Sequence, residues 1–393
     1  MSRDHPSPSI EEVLRRLPRQ AIPPLGIPPY TPLSSEANEQ HWDQGSKVAL
    51  AVSSMRDHMT DEGWQIMEGL EHAGYHLAGH GLSTFGALNY DLRRSDLTDV
   101  PEILRWTNPS VVVVQDKREW DKSRDFRDQR AYFHRISALA ERDDIFKLTI
   151  LKDAHQRPHY HRHSAEEMGA HGWIIYYHPR IVERVAPYVR LPHCVRTYHS
   201  INPQHLPPVA RAELYHCVNP NDFPTNVPTF FSEKIAGTLL SGAVSGAYPL
   251  RKQLVKKAGQ LPNVIVLPHP GYHRQGCATP RFLEILCRYK VAICTASLYG
   301  YALRKIIEAT ACGCVVLTDL PHEEVLPEID GNLIRISPEM GLKGVAATIK
   351  KCYDDYDPVK QWEYAIKAQR WYDYRAVGMR LAQDIDKLRE SYP

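Results

Sequence analysis

The residues best equipped for chemistry lie in Arg304–Asp319, RKIIEATACGCVVLTD. Lys305 and Glu308 are three apart, so an amphipathic helix here carries an amine and a carboxylate on one face. Ala309, Ala311 and Gly313 keep the end of that helix slim, and Gly313 suits a left-handed cap. Cys314–Thr318, CVVLT, follows as a buried strand with Asp319 at its carboxyl end. Ligands of open α/β sheets bind outside the carboxyl ends of strands. A carboxylate and an amine aimed there suit a ribose hydroxyl pair and a phosphate.

Two further stretches point to the same kind of ligand. Ser241–Arg251, SGAVSGAYPLR, reads as a strand-to-helix turn. Gly242, Ser245 and Gly246 allow close backbone approach, and the helix amides that follow attract an anion. Pro249 fits the first helical turn, and Arg251 supplies a planar fork for phosphate oxygens. In Thr295–Arg304, TASLYGYALR, Gly300 permits close approach, while Ser297, Tyr299 and Tyr301 offer hydroxyls and flat faces for a sugar, or simply pack. Between them, Pro268–Gly271 (PHPG) places His269 and Tyr272 where either would stack on a base, unless the two prolines only stiffen a turn.

The first half offers groups for proton transfer. Arg56, Asp57 and His58 follow the apolar run VALAVSS. His58 titrates near neutral pH, but Asp57 is its direct neighbour and poorly placed to orient it, so a surface loop is the alternative reading. Asp116, with Lys117, Arg118 and Glu119, ends SVVVVQD. Asp153 and His155 end FKLTILKDAH with one residue between them, so in extended chain they point the same way. They are preferred over His58 as a base or acceptor-orienting pair. His155, His159, His161 and His163 have spacings that a metal accepts. Arg157 and Arg162 are interleaved with them, which suits phosphate or sugar contacts instead, and no metal is assigned.

These groups need a scaffold, and the hydrophobic periodicity supplies one. In the first half, strands over 48–54, 75–79, 110–116, 146–153, 172–177 and 194–199 alternate with helices over 61–73, 100–106, 125–142 and 181–188 and one beginning at 165, after a histidine-rich loop. In the second, strands over 234–243, 264–267, 291–295, 314–318 and 333–336 alternate with helices over 249–257, 279–288, 302–311 and 341–353, and two more helices follow over 360–370 and 377–392. Alternation at this spacing means two doubly wound parallel sheets. The expected division is a Pro-rich arm over 1–45, with eight prolines from Pro6 to Pro32, a domain over 46–205, a linker over 206–230, a domain over 231–355, and terminal helices over 356–393.

Composition agrees with such a body. With 393 residues, 43% hydrophobic and 24% charged, the chain has room for two domains of a soluble globular protein. No apolar run reaches the length of a membrane span, and no basic-then-apolar leader opens it. Eight scattered cysteines argue for reduced thiols and a cytoplasmic setting. Cys312 and Cys314 flank Gly313, where small buried residues explain them better than a metal. The formal charge of +2 neither demands nor excludes a nucleic-acid partner.

On these residues, KIIEATACGCVVLTD resembles the nucleotide-binding segment of two-domain GT-B glycosyltransferases, nearest to the glycosyl transferases group 1 and the spore-maturation-type (CgeB-like) branch. The resemblance implies α/β architecture with two Rossmann-like domains facing across a cleft, the terminal helices crossing back to the first. It implies transfer of a hexose from a nucleoside-diphosphate sugar, UDP-sugar favoured, to an acceptor hydroxyl, with no metal and no other cofactor. Glu308 then holds the ribose. Arg304 or Lys305 faces the diphosphate, as do Ser245, Gly246 and Arg251. His269 meets the base, and Tyr299 and Gly300 lie under the sugar. The family pattern is Glu, seven residues, Glu; the first position is Gly300 here, so the group that usually contacts the sugar is missing. The acceptor, whether small molecule, glycan or DNA base, is not readable. Basic clusters at Arg118–Arg130 and Arg157–Arg162, with Trp120, Phe126 and Tyr160, leave open a phage-type DNA glycosyltransferase acting on hydroxymethylated bases. The missing glutamate leaves open a noncatalytic sugar- or nucleotide-binding protein.

Overall fold

Runs of β-branched residues long enough for one strand, each followed by an amphipathic helix, leave the chain one economical solution: parallel strands covered on both faces. The computed structural model describes residues 46–52, 62–80, 100–115, 137–151, 158–211, 227–267 and 279–392. These divide into two units. One holds the described residues up to Ser200 together with those from Tyr374 onward; the other holds those from Ile201 to Asp373.

The first unit contains β1 (Lys47–Val52), α1 (Glu62–His72), β2 (His76–His80), α2 (Val100–Thr107), β3 (Val111–Gln115), β4 (Phe146–Leu151), α3 (Pro158–Glu167), β5 (Gly172–Ile175), α4 (Pro179–Val185) and β6 (Cys194–Arg196). Its sheet runs β2-β1-β3-β4-β5-β6, and every pair is parallel. Val111 to Val114 are wholly buried, as central strands covered on both faces require.

The second unit contains α5 (Thr229–Ser232), β7 (Ile235–Ser241), α6 (Pro249–Lys256), β8 (Val264–Leu267), α7 (Thr279–Leu286), β9 (Tyr289–Ile293), α8 (Arg304–Ala311), β10 (Val315–Thr318), β11 (Leu333–Arg335), α9 (Gly341–Asp354) and α10 (Pro358–Trp371). Its sheet runs β11-β10-β9-β7-β8, again all parallel. In both sheets the chain winds to one side, then returns past its first strand and winds to the other. The α/β class with two Rossmann-like domains therefore stands as expected from the periodicity. Among the described residues no helix is long and apolar enough to cross a membrane.

The histidine-rich segment differs from expectation. From Pro158 it is helix α3, not loop. Pro158 sits in the first turn, where its missing N–H costs nothing. Arg162–Glu166 (2.7 Å) and His163–Glu167 (3.0 Å) pair one turn apart. The segment shows no apolar stripe before Ala165 and Met168, so periodicity underestimates it.

The last two helices are divided between the units. Helix α10 stays with the second, where Trp362 lies edge-on to Phe231 at 5.0 Å and Gln369 Nε2 donates to Ala210 O (2.7 Å) and Ala311 O (3.0 Å). Helix α11 (Tyr374–Glu390) belongs to the first. It crosses α1 at a glycine pair: a Cβ on Gly378 would run into the Gly69 backbone, and one on Gly69 into Tyr374 O. Beyond α11, the Tyr392 ring meets Phe146, His171 and His193 edge-on at 5.5, 5.1 and 5.4 Å.

Because neither backbone at the α1–α11 crossing can retreat without unpacking the sheet, Gly378→Ala should lower stability by about 1–3 kcal/mol. Gly259→Ala, with open space around its Cα, is the control. Equal urea midpoints for the two variants would contradict the crossing.

Candidate functional site

In the second unit the winding reverses between β7 and β9, so their carboxyl ends open side by side. That is where doubly wound sheets bind ligands. Residue 242 is glycine for a local reason: its φ of 117° leaves the chain free to turn sharply off β7. The loop runs to Tyr248, and α6 begins at Pro249. The loop after β9 runs from Cys294 to Leu303 and delivers α8 at Arg304. Leu298 N donates to Ala247 O (2.9 Å), joining the two loops. Gly300, φ 74°, closes a tight turn by donating its N–H to Ser297 O (2.8 Å).

Arg251 on α6 is buried. Its guanidinium donates from Nη1 to Ala243 O (3.1 Å), from Nε to Thr295 Oγ1 (2.9 Å) and from Nη2 to Thr295 O (3.0 Å). The Tyr248 ring covers it at 4.0 Å. On the other side, Asp319 at the end of β10 accepts the Ala296 N–H through Oδ1 (2.6 Å). The 294–303 loop is thus held from both flanks, by a cation and by a carboxylate. Burial pushes the Asp319 carboxyl above its ordinary range, an effect that the Ala296 N–H and the Arg251 charge partly offset.

Beneath Gly242 two cations meet. A Cβ there would run into Arg251 Nη1 and lie 2.7 Å from Lys305 Nζ. Lys305 is half-buried, with the Phe282 ring 5.7 Å from its ammonium. Burial first, and the Arg251 charge second, pull its pKa down to about 8. An amine in that position gains by acquiring an anion. Glu308, one turn on, is 4% exposed and pairs through Oε1 with Arg304 Nε at 3.1 Å.

Of the residues singled out in the sequence, Ser245, Gly246, Arg251, Tyr299, Gly300, Arg304, Lys305 and Glu308 are all on these two loops and the helices they open. Ser245 and Gly246 are exposed. Tyr299 lies nearly parallel to the buried Tyr301, with centroids 6.3 Å apart. Arg251, a phosphate fork by residue type, places three of its donors on loop acceptors. Lys305 and Glu308 are three apart on α8 and so share a face, and the ion pair that forms is Arg304 with Glu308, four apart. The loop-holding parts played by Thr295 and Asp319 were not anticipated, although an aspartate closing a buried strand was the available signal. His58, Asp116, Asp153, His155 and His269 lie outside the described residues. Among the described residues no group of three or more histidine, cysteine or acidic side chains is arranged to hold a metal.

No family model and no curated protein sequence matches the chain. Solved structures do. Alr3699/HepE from Anabaena, in complex with UDP, is similar over 87% of this chain and 100% of its own, with a TM-score of 0.51 at 11% identity. Sucrose-phosphate synthase from Thermosynechococcus elongatus is similar over 88% of this chain and 100% of its own, with a TM-score of 0.47 at 15% identity. The likeness to HepE is one of fold, the pair of Rossmann-like domains of GT-B proteins.

The lowered pKa of Lys305 fixes the sign of two measurements. Between about 8 and the ordinary lysine value near 10.4, the unfolded chain binds the proton that the folded chain has released, so this residue favours folding increasingly as pH rises through that window. Lys305→Met should therefore be more stable than wild type at pH 7, with the advantage fading above pH 10. Pyrophosphate affinity should fall as pH rises through about 8 in the wild type and stay flat in the variant. A wild-type affinity that does not fall between pH 7 and 9 would exclude Lys305 from the anion site.

Proposed function

We propose that the chain is a glycosyltransferase that takes its sugar from a nucleoside-diphosphate sugar, a UDP-sugar before others, and transfers it to an acceptor hydroxyl without a metal. The observation that carries this reading is the convergence of Arg251 and Lys305 beneath Gly242, one helical turn from the buried Glu308, where the second sheet reverses its winding. The fold likeness to HepE, a protein solved with UDP, supports it. So does the resemblance of the α8 segment to the spore-maturation-type branch.

In this reading Lys305 and the backbone amides of the loop carrying Ser245 and Gly246 take the diphosphate. They matter most as the sugar–oxygen bond breaks and charge builds on the leaving group, where preorganised donors lower the barrier. Arg251 contributes its charge and holds the loops, while its own hydrogen bonds stay on Thr295 and Ala243. Glu308 offers its carboxylate to the ribose hydroxyls, with Arg304 fixing its orientation. Tyr299 and Gly300 border the sugar, and His269 the base. Asp153 and His155, with His58 and Asp116 as further candidates, are the proposed groups for deprotonating or orienting the acceptor, since a base is needed as the anomeric carbon is attacked.

A second reading, a binding protein without turnover, has one specific observation behind it: Gly300 stands where the family carries a glutamate. Thermal shifts against UDP, UDP-glucose, UDP-N-acetylglucosamine, GDP-mannose and ADP-glucose test the donor, because a bound ligand raises the midpoint by mass action. A uridine compound should give the largest shift. Glu308→Gln should weaken it about tenfold, in line with losing one charged hydrogen bond worth ~1.5–3 kcal/mol, and should also lower stability because Arg304 loses its buried partner. Release of UDP from the bound donor, alone or with acceptor, separates enzyme from binder. A panel without any shift would defeat both readings.

A further inference from the structure

The 294–303 loop leads directly into α8, and Leu303, the residue before that helix, provides no side-chain cap. Nothing within the helix therefore fixes where its first turn begins. What fixes it is the loop, and the loop is gripped at two adjacent residues. Arg251 takes the carbonyl and hydroxyl of Thr295, while Asp319 takes the N–H of Ala296. The two grips come from different elements, α6 and the end of β10, and carry opposite charges. A half-buried carboxylate on a backbone amide is an expensive choice where a neutral acceptor would serve. The Arg251 charge across the loop offsets part of that cost.

We infer that Asp319 is a positioning residue of the donor site: with Arg251 opposite, it sets the shape of the 294–303 loop and so places Tyr299 and the Arg304–Lys305 turn. The inference rests on the donor reading for its functional consequence, and on the hydrogen bonds alone for its structural one. The Ala296 N–H is bound at Oδ1, and the carboxylate is also bonded by the N–H of Asp319 itself. That makes the conservative variant informative. Asparagine keeps an acceptor at Oδ1 and loses only the charge; alanine loses both.

Hydrogen exchange reads the grip in the intact protein. The Ala296 amide should exchange much more slowly than that of Ser297, which donates to no acceptor among the described residues. In Asp319→Ala the 294–303 amides should exchange about tenfold faster, with those of α9 and α10 unchanged as internal control, and Asp319→Asn should stay within about threefold of wild type. UDP-glucose affinity should fall about tenfold in Asp319→Ala and recover in Asp319→Asn, the scale expected for one charge-assisted hydrogen bond. If wild type binds no nucleotide sugar, the donor reading fails while the exchange data still decide the grip. Equal exchange of Ala296 and Ser297 would overturn the inference even if Asp319→Ala does not fold. So would an Asp319→Asn as impaired as Asp319→Ala, since Asp319 would then act by charge or direct contact.

Discussion

Two like charges are brought together beneath a backbone that only glycine can supply, and the rest of the second unit is arranged around that constraint. Arg251 and Lys305 come from different helices, α6 and α8, which reach one spot because β7 and β9 are neighbours at the winding reversal. Arg251 tolerates burial because carbonyl and hydroxyl acceptors satisfy its guanidinium. Lys305 has no such set, and burial beside Arg251 lowers its pKa toward 8. The asymmetry assigns different work to the two cations. Arg251 places three donors on loop acceptors, and the Lys305 ammonium keeps the Arg251 charge beside it. Guanidinium and ammonium are not interchangeable here, because a planar fork can bridge two loop acceptors while a compact ammonium answers best to one anion.

The Arg304–Glu308 pair follows the same logic in the opposite direction. Both side chains are about 5% exposed, so removing one partner leaves a stranded charge at a cost of about 3–5 kcal/mol. Apolar residues of similar volume would be at least as stable there, which makes stability a weak reason for keeping the pair. The Arg304 guanidinium and the Glu308 carboxylate lie 3.1 Å apart within one helical turn, so each restricts where the other can sit. Preorganisation of that kind is what a binding site gains from a charged pair that packing alone does not require.

Much of this was legible in the sequence where the signal is local. Four consecutive valines from Val111 fix a central strand, and Gly313 with φ 74° ends α8 just before β10. The α8 segment points to the carboxyl edge of the second sheet through residue types alone. What escaped was set by neighbours distant in sequence. Nothing near Arg251 says that Thr295, 44 residues on, will take its donors. Nothing near Asp319 says that Ala296, 23 residues back, needs an acceptor. Helix α3 escaped for a different reason: its apolar contacts begin only at Ala165 and Met168, while Pro158 suits a first turn and polar side chains pair one turn apart.

Gly300 joins the two kinds of information. Its φ of 74° and its bond to Ser297 O belong to a turn that a side chain would strain. A glutamate at this point would meet that strain, as Glu328 does at φ 65°. The grips of Arg251 and Asp319 hold the loop in this shape. Whatever the site recognises at the far end of its ligand must be read by groups that this shape presents, and the shape is decided three strands wide, from Ala243 after β7 through Thr295 and Ala296 after β9 to Asp319 after β10.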